Sequence, residues 1–476
     1  MRDRVTNIHF VGIGGSGMSG IAEVLVNLGY SVSGSDIADG PVTARLRKAG
    51  AHVVIGHSAD NIKNSDVVVV SSAIDDTNPE VSGALQANIP VIPRAEMLGE
   101  LMRFQQGVAV AGTHGKTTTT SLVSAILVAA GMDPTFVVGG LINSAGVNAK
   151  LGKGDYLVAE ADESDASFLN LKPEMAVVTN IDEDHMVTYQ GELEELKKSF
   201  VTFLQNLPFY GLAVLCIDDE NVQAIRDRIH KPVLTYGLSE DADFRAFDLV
   251  QTSTRMHFKV ARLGHVQDLE IDLSIPGEHN ALNATAAICI ATHIGVSDQA
   301  IQDGLREFQG VGRRFEVFGE AKIGGKSVTI VDDYAHHPVE LSATLSAARA
   351  CWQDRRLVAV FQPHRYSRTN DLFDDFVTSL ADQQDLLVCE VYPAGEQPVS
   401  GATGQSLCQA IRVRGASNPI FVPSIEELEK VLTPIVQAGD VVLTMGAGSI
   451  GKASRQLFDS NSTSAIESNN NAEAEA

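Results

Sequence analysis

The run Gly112-Thr113-His114-Gly115-Lys116-Thr117-Thr118 is suited to holding phosphates. Between an apolar strand and a helix, its backbone N–H groups and the helix dipole would cradle the anion. Lys116 would reach the terminal phosphates and Thr117 would offer a hydroxyl to Mg²⁺. The run departs from the usual P-loop spacing, because Val110 stands at the first glycine position. The bland alternative is a solvated lysine opening a helix. A second loop, Gly12-Ile13-Gly14-Gly15-Ser16-Gly17, fits G-x-G-x-x-G and suits a nucleotide diphosphate, with Asp36 after the next strand facing a ribose hydroxyl. Helix–sheet packing would select the same glycines. For a further match at Gly446, Gly448 and Gly451, packing is the preferred reading.

Carboxylates and histidines cluster where strands end. Tyr156–Glu160 runs into Glu160–Asp165, and Met175–Asn180 runs into Asp182, Asp184 and His185. Open α/β sheets hold ligands at the carboxyl ends of strands, so both clusters could face the phosphate loop. Mg²⁺ prefers oxygen ligands, which makes Glu160 a natural one. His185 on its own reads more easily as a capping or core residue, and the other acids as solvated or capping groups. Further on, Ser327–Val331 ends in Asp332–Pro338, with Asp333 and His336, and Leu357–Phe361 ends in Pro363–Thr369. Arg365 and Arg368 there could clamp an anion through their guanidinium forks, or form surface salt bridges.

Positioning these residues needs alternating strands and helices, an α/β pattern with mainly parallel sheets. Strands are expected at Val5–Val11, Tyr30–Gly34, His52–Ile55 and Val67–Ser71, with helices at Ser19–Leu28 and Ala95–Phe104. A boundary falls near Gln105–Gly107. A second unit opens with strand Val108–Ala111 and helix Lys116–Ala130. Strand Leu212–Ile217, an antiparallel-looking stretch over 233–275 and helix Asn280–Ile294 follow. Gly310–Gly312 marks the next boundary, before a helix opened by Pro338 and strands Asp385–Tyr392 and Val441–Met445. The expected domains are 1–106, 107–311 and 312–458, with a polar tail over 459–476 too poor in apolar residues to fold. No internal repeat stands out.

The chain of 476 residues has 60 acidic and 36 basic residues, a net charge of −24. That balance excludes a surface devoted to nucleic acid or anionic lipid, and any phosphate site must be built locally. The five cysteines show no C-x-x-C spacing, which fits reduced thiols in a cytoplasmic protein. No signal peptide is evident, and the apolar stretch Leu122–Ala130 is too short for membrane insertion.

Together Gly112–Thr118, Glu160–Asp165, Asn180–His185, Gly277–Asn280 with Asn283, Arg313–Glu316 and Asp333–Pro338 resemble the ATP-dependent Mur ligases in order and spacing, from about Asn7 to Ser454. Within the family, the Gly12–Gly20 loop, Ser35-Asp36, Glu160–Phe168 and Pro363–Thr369 look like the branch that joins L-alanine to UDP-N-acetylmuramate. The resemblance implies a Rossmann-like UDP-sugar domain, a central P-loop ATPase domain and a Rossmann-like C-terminal domain. It implies that Gly12, Gly14, Gly15, Ser16, Gly17, Asp36, Ser71 and Ser72 hold the UDP-sugar. Gly112, Thr113, His114, Gly115, Lys116, Thr117 and Thr118, with Asn280 and Asn283 at adenine, Arg314 at the phosphates and Asp333 at ribose, would hold ATP. Thr117, Glu160 and His185 would bind Mg²⁺, and Lys116, His185, His336, Arg365 and Arg368 would serve the reaction. Val187 stands where Asp is usual, and Ala335 where many alanine-adding members carry Gly; the second change also occurs in the branch that attaches a murein tripeptide.

The implied reaction activates the lactyl carboxylate as an acyl phosphate, which the L-alanine amine then attacks. Such an intermediate hydrolyses in open water, so closure about a hinge near Gly310–Gly312 is expected of a monomer or weak homodimer. Rival readings are a nicotinamide dehydrogenase, which leaves Lys116 idle, a P-loop switch, which leaves the strand-end clusters idle, and the tripeptide ligase.

Overall fold

The computed structural model describes residues 4–71, 74–143, 147–415 and 417–462. Three sheets organise the chain. The first is a five-stranded parallel sheet in the order His52–Ile55, Ser31–Asp36, Asn7–Val11, Val67–Val70, Val91–Pro93. Strand order reverses beside Asn7–Val11, and at such a switch point the strand-end loops diverge and leave a crevice. Runs such as Val67–Val70 are apolar at every position because a parallel sheet is covered on both faces.

The second sheet has ten strands, with the phosphate-loop strand Gln106–Ala111 between Met175–Val178 and Tyr156–Glu160. Register pairs Val178 with Ala111 and Val110 with Glu160, so three strand ends converge on the loop after Ala111. The stretch over 233–275 forms four strands, Val233–Gly237, Phe244–Thr252, Arg255–Arg262 and Leu269–Leu273; the first two pair in parallel. The third sheet has six strands in the order Glu316–Ile323, Lys326–Asp333, Val441–Met445, Leu357–Phe361, Asp385–Cys389, Ile420–Val422, with only the first pairing antiparallel.

Two compact units contain these sheets, and the main break falls at Gly310, within the expected second boundary. Within the first unit, helix Ser16–Asn27 packs its Gly20 against Ala149 and Val137 of the second sheet. Residues 250–256 and 274–279 belong to the second unit. There Gln251 donates to the Ala347 carbonyl at 3.0 Å.

Three boundaries differ from expectation for physical reasons. The first helix starts at Ser16 rather than Ser19, because its glycines serve close packing as well as the turn. Strand Lys326–Asp333 absorbs two acids assigned to a loop, since Asp332 is buried against Arg313 Nε at 2.9 Å and Thr444 Oγ1 at 2.8 Å. The last helix, Ile450–Asn461, continues past the start of the polar tail at 459. The rest of that tail, from 463, and Ser72 lie outside the described residues. Cys216, Cys289, Cys389 and Cys408 are buried and all five cysteines are free thiols. No described helix is long and apolar enough to cross a membrane.

Candidate active site

In the first unit the Gly12–Gly17 loop closes the crevice of the five-stranded sheet. Gly12 adopts φ +79°, a left-handed value that favours glycine. The Gly12 and Ile13 N–H groups donate to the Ser35 carbonyl at 2.8 and 3.0 Å. Gly14 N–H donates to Asp36 Oδ2 at 2.8 Å, so this carboxylate braces the loop it was expected to flank. A β-carbon on Gly17 would stand 2.0 Å from Arg94 Nη1, so that guanidinium would have to shift to admit one. A cavity of about 890 Å³ is lined by Gly12, Gly14, Gly15, Asp36 and Ser71, and also by His57. Sequence reasoning missed His57, although its place just beyond strand His52–Ile55 obeys the same strand-end rule as Ser71.

The P-loop is fixed from one side. Thr113 N–H donates to the Asn180 carbonyl at 3.1 Å, and His114 N–H to Asn180 Oδ1 at 2.8 Å. His114 Nε2 lies 3.1 Å from Asp182 Oδ2. Gly112 and Gly115 take φ of +132° and +82°. A β-carbon on Gly115 would meet Asn283 Oδ1 at 2.6 Å, and Asn283 in turn donates to Asn280 Oδ1 at 3.2 Å. Both asparagines therefore stand on one helix face against the loop. Thr117 and Thr118 begin the following helix and are buried.

Lys116 folds back over its loop. Its Nζ donates to the Gly112 carbonyl at 2.7 Å and to Glu163 Oε2 at 2.7 Å and Oε1 at 2.9 Å. Burial alone would depress the ammonium, but Glu163, Asp162 and Glu160 hold it above its ordinary value. Glu163 is the main residue that sequence reasoning passed over; burial pushes its carboxyl up to about 7, against the pull of Lys116. Several other acids of the two clusters also accept from nearby backbone N–H groups. Asp162 and Asp165 accept from Ser164 and Ser167 N–H, and Asp184 from His185 N–H. Glu160 rests on Gly139 N–H at 2.7 Å. His185 has φ +57°, with Nε2 3.5 Å from Asp184 Oδ2.

Three carboxylates around one ammonium leave an excess of negative charge that suits a divalent cation. The expected ligands Thr117, Glu160 and His185 comprise two oxygen donors and one nitrogen donor. Val187, the departure from the family pattern, is 92% exposed.

The second unit gathers its own set. Asp333 is buried, with Phe315 N–H 2.6 Å from Oδ2 and Ala335 N–H 2.7 Å from Oδ1. Burial pushes it up to about 6, against the pull of Arg314. Arg314 lies 4.9 Å from the centre of the Tyr334 ring, as a cation–π partner. His336 Nδ1 is 3.1 Å from both the Tyr334 carbonyl and Glu340 Oε2. The expected arginine pair divides: Arg365 is exposed at a helix start with φ +70°, while Arg368 is buried with Nη1 3.4 Å from His364 Nδ1. Burial and the neighbouring cations hold His364 down at about 4. The Gly446, Gly448 and Gly451 loop is a packing loop, with Gln362, Tyr392 and Arg313 filling the spaces that β-carbons would need.

Models of three successive domains match the chain: the Mur ligase catalytic domain over residues 7–106, the Mur ligase middle domain over 110–291 and the Mur ligase glutamate ligase domain over 313–448. Among solved structures, the UDP-N-acetylmuramate-alanine ligase MurC of Thermotoga maritima is similar at 31% identity and TM-score 0.80, covering 95% of this chain and 98% of its own. The murein peptide ligase of Psychrobacter arcticus shares the fold at 24% identity and TM-score 0.69, with the same coverage. The UDP-N-acetylmuramate:L-alanyl-gamma-D-glutamyl-meso-diaminopimelate ligase of Neisseria meningitides matches at 28% identity and TM-score 0.59, covering 65% of this chain and 100% of its own.

Proposed function

This chain belongs to the Mur ligase family of ATP-dependent enzymes of peptidoglycan precursor synthesis, and on that premise we propose that it joins L-alanine to the lactyl carboxylate of UDP-N-acetylmuramate. The observation that carries the choice of amine is the 31% identity to an alanine ligase over 95% of the chain, against 24% to a murein peptide ligase over the same span. The run Pro363–Thr369 favours the same branch.

A carboxylate is a poor electrophile, so ATP phosphorylates the lactyl carboxylate to an acyl phosphate and leaves as ADP. The amine attacks that carbonyl, and phosphate departs from the tetrahedral adduct. Lys116 leaves Glu163 for the transferring phosphoryl group and neutralises its charge. The Gly112–Gly115 backbone aligns the phosphates, while Asn280 and Asn283 hold the adenine side. Thr117, Glu160 and His185 would hold Mg²⁺, which would supply further charge neutralisation at the phosphates. The Gly12–Gly17 loop holds the diphosphate of the sugar nucleotide, with Asp36 on its uridine side and Ser71 at the next strand end. Arg314 serves the ATP phosphates, Asp333 the ribose and His336 the reacting end. Arg365 and Arg368 hold the amino-acid carboxylate or a phosphate. Holding amine and acyl group in line lowers the barrier by about 7–11 kcal/mol.

The test is ADP release by the purified chain with ATP, Mg²⁺, UDP-N-acetylmuramate and each amine donor in turn. Turnover is expected with L-alanine. Turnover with the murein tripeptide alone would reject this reading in favour of the sister branch.

A further inference from the structure

The residue beneath the sugar-nucleotide crevice that no part of the reaction uses is Glu80. It is fully buried in the first turn of helix Pro79–Gln86. It accepts from Ser35 Oγ and Asn61 Nδ2 at 2.5 Å each and from Ser58 N–H at 3.3 Å. His57 Nδ1 lies 3.3 Å from its Oε2, and His9 Nε2 lies 3.5 Å from the same atom. His57 is the member of this cluster that lines the cavity shared by Gly12, Gly14 and Asp36.

We propose that His57 reads the pyrimidine of the sugar nucleotide, presenting a bare Nε2 because Glu80 and Ser35 fix its proton on Nδ1. This rests on the reading of the crevice as a UDP site. Burial would raise the Glu80 carboxyl, but the nearby His9 ring and hydrogen bonds from Ser35 and Asn61 outweigh it and hold the group at about 2, so Glu80 is ionised and can only accept. Ser35 spends its single proton on Glu80. Its oxygen, 2.9 Å from His57 Nδ1, can therefore only accept there. Both neighbours of Nδ1 are acceptors, so Nδ1 carries the proton and the neutral ring has an acceptor at Nε2.

The order of strands gives that acceptor its partner. Moving outward from the switch point, the glycine loop follows Asn7–Val11, Asp36 ends the next strand and His57 follows His52–Ile55. Diphosphate, ribose and base come in the same order along the ligand. The pairing edge of uracil offers one N–H, at N3, between two carbonyls, whereas cytosine has a bare nitrogen at that position. A site built to accept an N–H rejects the analogue that lacks it. Glu80 is thus a positioning residue and His57 the specificity contact.

The test is calorimetric titration of the full chain with UDP, CDP and N3-methyl-UDP. The wild type is expected to bind UDP at least about tenfold tighter than the other two. His57→Ala should bring all three within about twofold. Glu80→Gln can donate an amide N–H to Nδ1, which moves the ring proton to Nε2 and shifts preference toward CDP. ATP binding by the same preparation checks that this variant is folded, and if it is not, His57→Ala decides alone. A His57→Ala protein that keeps the preference for UDP, or a wild type that binds N3-methyl-UDP as tightly as UDP, overturns the role of His57 alone. A wild type without affinity for UDP overturns the sugar-nucleotide reading itself.

Discussion

Lys116 is held in the structure by neighbours that, on the proposed reading, it would leave for phosphate. Its ammonium is shared among Gly112, Thr113 and Glu163. Lys116→Ala should lower ADP release about a thousandfold while leaving UDP-N-acetylmuramate binding by calorimetry unchanged, since the two loops lie on different sheets. Loss of both activities together would mean that the loops are wrongly assigned. A second residue-scale expectation concerns His364. The unfolded chain binds a proton on it near the ordinary 6.5 and the folded protein only near 4. Its contribution to stability is therefore present above 6.5 and lost as pH falls toward 4. His364→Gln should reduce the loss of stability between pH 7 and pH 5 by about 1 kcal/mol, after discounting for partial exposure, as read from urea midpoints at each pH. Legibility differs among these residues. Lys116 announces itself because loop, charge and helix start are contiguous in sequence. Glu163 sits in a run of acids and is distinguished only by burial against Lys116, a tertiary fact without local signature.

At the scale of elements, strand alternation and strand-end chemistry were legible because parallel strands are apolar throughout and their loops are polar. Charged residues inside strands were not. Asp332 and Asp333 read as loop residues, yet partners distant in sequence satisfy both within Lys326–Asp333. Glycines inside elements were equally opaque. Gly34, in strand Ser31–Asp36, faces Ile13, and a β-carbon there would lie 2.6 Å from Ile13 Cδ1 and 2.8 Å from the Phe10 carbonyl oxygen. Gly34→Ala should cost about 2–3 kcal/mol in denaturant unfolding and weaken UDP binding as the loop before Ser16 is displaced. Unchanged stability with unchanged binding would show that Ile13 can move without disturbing the loop.

Across the whole molecule, the charge of −24 bears on how ligands arrive. The crevice lining includes Asp36, Asp39 and Asp75, and no lysine or arginine among the described residues. The lining carries the same sign as the whole chain, and a diphosphate bound there would depend on backbone N–H groups and a helix N-terminus. The association rate of UDP-N-acetylmuramate should therefore rise about two- to fivefold between 20 and 200 mM salt in stopped-flow measurements. A fall would mean that cations outside the lining steer the ligand. The α/β class with mainly parallel sheets was foreseeable from the element pattern. The union of the first two sheets in one compact unit was not, because it depends on Gly20 meeting Ala149, a fit without sequence periodicity.

The pairing of Val110 with Glu160 has a bearing on which genetic lesions this protein can absorb. Side chains alternate faces along a strand, so one codon gained or lost within Tyr156–Glu160 would turn the carboxylate to the opposite face while leaving composition almost untouched. The same lesion in the exposed residues 263–268 would merely alter the length of a surface connection. Length variation among alleles should therefore gather in connections like that one and be purged from the strands that end beside Lys116, where a chain one residue shorter would fold and yet be inert.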